Sequence, residues 1–100
     1  MQHRWLKEDD IVAFYLYRFG PESLIMTIGK ISKILGMSEA SLKMRIGNFQ
    51  AIDGAGGLQH YAKLSETIFN EYKDFSQDTH LNIVKKILVR HTNRCKSLGI

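Results

Sequence analysis

The side chains of this 100-residue sequence that could ligate a metal or move a proton are four histidines, one cysteine and ten carboxylates. His3, His60, His80 and His91 are scattered, and none stands four residues from another histidine or an acid in a metal-ligand pattern such as HExxH. Ser, His and Asp all occur, but without a GxSxG elbow, a P-loop or a GxGxxG turn. Gly54-Ala55-Gly56-Gly57 has the composition of a phosphate-cradling loop, yet it precedes no GK[ST] and follows no predicted strand. The adjacent carboxylates Asp9 and Asp10 read as first-turn helix starters, not as an acid/base pair. No active site, metal or cofactor is expected.

The cations are more informative. Residues 31–46 read as a helix closed by Leu35-Gly36, a turn of three or four residues, a Ser38 N-cap and a second helix with apolar residues four apart. That is the grammar of a helix-turn-helix, whose second helix can enter a major groove. With Leu42, Ile46 and Phe49 inward, the helical wheel turns Ala40, Lys43, Met44, Gly47 and Asn48 outward. Small residues permit close approach to DNA, Asn48 can pair with adenine, and Lys43 with guanine or a phosphate. The recognition helix is placed at residues 38–48, where Ser38, Ala40, Ser41, Lys43, Met44, Arg45 and Asn48 form the expected contact set. Lys30 and Lys33 join them from the preceding helix, which normally crosses the backbone.

Lys86, Arg90 and Arg94 make a second row at i, i+4, i+8, with Lys85 and Lys96 on the other flank. Such a row can track phosphates, and is equally the solvated face of a last helix. The competing reading of residues 31–46 is a tight αα-corner, with Met44 packed on a neighbouring helix or a partner.

These residues need elements to hold them, and every long segment fits a helical period better than a period of two. A first helix follows Asp9 and Asp10, with Val12, Tyr15, Leu16 and Phe19 on one face, and Gly20-Pro21 stops it. A second runs from about 23 to 35, with Leu24, Ile28, Ile31 and Leu35 on its stripe. A third ends near 48–50, and Asn48 there is a candidate for capping its C-terminus as well as for reading a base. Residues 53–58 form a glycine loop. A fourth helix carries Leu64, Ile68, Tyr72 and Phe75. Residues 76–79 then break the chain and cap a fifth helix, lined by Leu81, Val84, Ile87, Leu88 and Cys95. The expected fold is all-α: a three-helix helix-turn-helix core over residues 8–50 and two C-terminal helices over 63–96, in one domain.

Composition agrees, with 44% hydrophobic and 24% charged residues. The net charge of +4 is uneven: residues 1–78 hold nine basic and ten acidic side chains, and residues 79–100 hold five basic and none acidic. Residues 30–50 carry a smaller excess, Lys30, Lys33, Lys43 and Arg45 against Glu39. Both suggest a polyanionic partner. A lone cysteine suggests a reducing, cytoplasmic setting. The acidic turn after Lys7 is unlike a signal peptide, and no stretch has the ~18 apolar residues of a membrane span.

Trp5 to Glu8, Leu16-Tyr17-Arg18-Phe19-Gly20, Leu35-Gly36-Met37-Ser38, the run Ser41-Leu42-Lys43-Met44-Arg45-Ile46-Gly47-Asn48-Phe49, Ile52-Asp53, Gly56-Gly57-Leu58 and residues 72–75 together resemble a bacterial family. It is the N-terminal helical domain found ahead of the nuclease in HNH-type, restriction-endonuclease-like proteins. The resemblance covers about residues 5–75, with residues 41–49 its most specific part, and Met37 stands where that family shows arginine. It implies DNA engagement without cleavage, since no His-Asn-His arrangement follows residue 75. A looser likeness to Myb-type or homeodomain-like three-helix domains is generic to the architecture. The expected partner is double-stranded DNA, met alone, as a homodimer or beside a nuclease, in a bacterial or phage regulator or a restriction-related specificity module. A protein-interaction module built around Met44 is the alternative.

Overall fold

The structure, a computed structural model, describes residues 5–54 and 63–97, with side chains to residue 93. Helix α1 is Lys7–Phe19, α2 is Ile28–Leu35, α3 is Glu39–Asp53, α4 is Lys63–Tyr72 and α5 is Gln77–Ser97. Among the described residues there is no strand. The five helices match the all-α expectation.

Helix α1 is the axis around which the others pack. Asp9 through Leu16 are all buried, because α3, α4 and α5 each lie against it. Around α1 the three neighbours leave no solvent stripe in its middle turns, so the expected one-sided face of Val12, Tyr15, Leu16 and Phe19 is widened by Ile11, Ala13 and Phe14. Phe14 and Phe49 stack with centroids 4.8 Å apart, joining α1 to α3.

The second helix starts later than the sequence suggests. Pro21 leads into a 3-10 turn at Glu22–Leu24, and Ile25 then adopts a left-handed φ of 55°, which ends any helical run. Thr27 begins α2 afresh, its hydroxyl accepting from the Lys30 N–H at 3.1 Å. Leu24 is buried as expected, but from the 3-10 turn.

Gly36, at φ 85°, closes α2 through its own N–H, and the Met37 N–H returns to the Ser32 carbonyl at 2.9 Å. Ser38 caps α3 as expected, accepting from the Ser41 N–H at 3.1 Å. The third helix does not end at 48–50: it continues to Asp53, with Gly54 at its C-terminus. Asp53 is therefore helical, Gly54 is the C-cap, and positions 55–58 of the expected glycine loop lie outside the described residues. Ser76 caps α5 by accepting from the Thr79 N–H at 3.2 Å. Cys95, expected inside α5, lies beyond the described side chains.

Candidate nucleic-acid interface

The turn from α2 to α3 has only Gly36, Met37 and Ser38 between the two helices, and α3 packs on α1, α2 and α4. Leu42 and Phe49 are buried and Ile46 half-buried. The opposite side carries Ala40, Lys43, Met44 and Gly47, all exposed as the wheel predicts, whereas Asn48, which the wheel also turns outward, is half-buried. Met44 is 76% exposed, and a Cβ added to Gly47 would meet nothing within 4 Å.

The polar members of the expected set divide. Ser38 is exposed but engaged as the N-cap, its hydroxyl donates to Ser41 Oγ at 3.0 Å, and Ser41 is half-buried. Asn48 is half-buried in the middle of α3, and this placement excludes the C-terminal capping role. Met37 is buried, a core anchor inside the turn.

Arg45 is not available to a phosphate. Its Nε and Nη2 donate to the two carboxylate oxygens of Asp10 at 2.6 and 2.7 Å, and its side chain is only 11% exposed. The guanidinium lies 4.3 Å from the Trp5 ring centroid, and Ser65 Oγ donates to Asp10 at 3.3 Å. The expectation that Asp10 merely starts a helix is corrected with it: Asp10 is fully buried as the counter-ion of Arg45. Asp9 is buried too, and its Oδ2 accepts from the Leu6 N–H at 3.0 Å at the start of α1.

Lys30 and Lys33 are exposed on α2 and line an open groove of about 750 Å³ with Thr27, Gly29, Ile34, Glu39 and Thr92. Lys43 borders it from α3, with Nζ 2.9 Å from Glu39 Oε2. Lys30 and Lys33 thus share one groove with Glu39, which Lys43 pairs.

The C-terminal row is placed apart. Arg90 donates to Glu8 at the start of α1, and His91 Nε2 lies 3.7 Å from the same carboxylate. Thr92, which faces α2 in the groove, is two residues on from Arg90, or about 160° around the helix. Lys86 is exposed one turn before Arg90, and the side chain of Arg94 lies outside those described. On the α2 side stands exposed Lys85, seven residues before Thr92.

A second polar cluster is structural. Arg18 donates to the carbonyls of Tyr72 (2.8 Å) and Phe75 (2.6 Å), closing the end of α4. It also donates to Nδ1 of buried His80 at 3.2 Å, so His80 must carry its proton on Nε2 and donate it to the Ile11 carbonyl at 3.0 Å. Burial, opposed by that carbonyl, lowers the His80 pKa from 6.5 to about 4. Tyr17 Oη donates to Asp53 Oδ2 at 2.6 Å, which raises the Tyr17 pKa and ties the end of α3 to α1.

Among the described residues no group of three or more His, Cys, Asp or Glu side chains could hold a metal ion, and no helix is long and apolar enough to cross a membrane. Arrangement and charge define an all-helical domain in which one face of α3 is uncovered beside Lys30, Lys33 and Lys43. The chain matches no family model, no curated protein and no solved structure.

The site residues that composition and spacing did not yield are Thr27, Gly29, Glu39 and Thr92. Glu39 had a signal, its i, i+4 relation to Lys43. Thr92 had none, because only the packing of α5 on α2 brings it there.

Proposed function

We propose that the chain is a non-catalytic double-stranded DNA-binding domain that lays α3 in the major groove. The observation that carries this reading is the uncovered face of α3, small at Ala40 and Gly47, beside Lys43 on the same helix and Lys30 and Lys33 on the preceding one. Arg45 drops out of the contact set. Three phosphate contacts from the lysines imply a slope of log K against log salt of about −2 to −3. A fluorescence-anisotropy titration with a random-sequence duplex tests this: binding at low salt with such a slope supports it, and no binding at low salt ends it. The resemblance of residues 41–49 extends the proposal to a cytoplasmic restriction-related specificity module or regulator of bacterial or phage origin.

A protein-interaction surface is the second reading, favoured by the 76% exposure of Met44. It expects Met44→Gln to weaken a protein contact while the salt-dependent DNA titration stays flat.

A further inference from the structure

The groove between α2 and α3 already holds an anion. Glu39 reaches back from the first turn of α3 across the start of α2, and a Cβ on Gly29 would stand 2.9 Å from its Oε1. The other oxygen, Oε2, is 2.9 Å from Lys43 Nζ. Lys30, Lys33 and Thr27 line the same groove, so a carboxylate rests where two helices present lysines and where only a glycine leaves it room.

We propose that this position is a phosphate site of the DNA-binding surface and that Glu39 is its intramolecular occupant, displaced when a DNA phosphate enters. The inference rests on the DNA-binding reading and deepens it. Two features fit an occupant that leaves. The Glu39 side chain is 51% exposed, so it can swing into water, and its tie to Lys43 is an exposed pair of the kind that contributes little. On release, Lys43 becomes free to meet the incoming phosphate, so one anion is exchanged for another without burying an unpaired charge. While it stays, Glu39 lowers the affinity of the lysine cluster for any polyanion that lacks the geometry to displace it.

The test compares the whole chain with three variants, using a random-sequence duplex and anisotropy across a salt series. Glu39→Gln is expected to bind roughly 2- to 5-fold tighter with the salt slope unchanged, because Lys43 meets the phosphate in the bound state of parent and variant alike and only the cost of displacing Glu39 is removed. Gly29→Ala is expected to move in the same direction to a smaller extent, because its methyl group pushes aside the flexible end of Glu39. Glu71→Gln is the matched control: it makes the same charge change and frees Lys7 from a 3.3 Å pair elsewhere on the surface. Equal gains in Glu39→Gln and Glu71→Gln would reduce the effect to net charge and overturn the proposal. If Glu39→Gln binds no tighter than the parent, the occupant role falls and the DNA-binding reading stands. Absence of binding by parent and variants alike at low salt overturns both.

Discussion

Two cations that look alike in the sequence have opposite duties. Lys43 and Arg45 lie two residues apart on α3, but Lys43 is exposed and Arg45 is forked onto a buried carboxylate. Truncating Arg45 to alanine strands the Asp10 charge in the core, and breaking a buried pair in this way costs about 3–5 kcal/mol. Urea unfolding of Arg45→Ala should therefore show a large loss. Lys43→Ala should stay within about 0.5 kcal/mol of the parent, as surface changes do, and be read in DNA affinity alone. His80 supplies a second prediction. Its folded pKa of about 4 lies below the unfolded 6.5, so the unfolded chain binds the extra proton first. The stability that depends on neutral His80 is fully present above pH 6.5 and is lost as pH falls toward 4. At about 1.4 kcal/mol per pKa unit, the loss is on the order of 2–3 kcal/mol. Unfolding measured from pH 7 to pH 4 should show this fall, and a His80→Gln variant should be flatter over the same window.

At the scale of elements, α3 carries a cost that its packing does not explain. Gly47 is mid-helix, exposed, and open on all sides to a Cβ, so alanine there should stabilise the helix by about 0.5–1 kcal/mol. In a domain of this size that is a rise of roughly 2–8 °C in Tm. If the bare face of α3 approaches DNA closely, the same Gly47→Ala variant, though more stable, should bind the duplex more weakly. A stabilised protein with unchanged affinity would remove Gly47 from the contact surface. Gly36 is the reverse case, because its φ of 85° makes alanine costly by about 1 kcal/mol although nothing crowds the site. The α2-to-α3 turn was legible in the sequence because Leu35-Gly36 and Ser38 act locally, through a left-handed residue and a side-chain cap. The start of α2 was misread because Leu24 keeps the helical spacing to Ile28, while the left-handed Ile25 between them leaves no mark in composition or period. The burial of Asp10 and Arg45 was invisible for a different reason. Their partnership spans 35 residues and exists only once α1 and α3 pack together.

Over the whole molecule, the +4 charge resolves into surfaces instead of a total. The lysines of α2 line the groove at Glu39, Lys43 of α3 pairs with that acid, and α5 contributes Thr92. Arg90, on the far flank of α5, is bound to Glu8 and points toward the start of α1. If a duplex lies along α3, its contacts are Lys30, Lys33 and Lys43, and Arg90 is on the other flank of α5, so the two patches should contribute unequally. Replacing Lys30 and Lys33 together by glutamine should remove about two units from the salt slope, because each phosphate contact is worth about 0.9. Replacing Lys86 and Arg90 together makes the same change in net charge. It should weaken binding only through the general field, with the slope altered by less than about half a unit. The Arg90 pair with Glu8 is at the surface, so its loss should cost no more than about 1 kcal/mol and leave the fold able to report. Salt series on the two double variants decide the matter: equal losses of slope would mean that DNA wraps past α5, and a larger loss for Lys86 and Arg90 would move the binding face from α3 to the C-terminal helix.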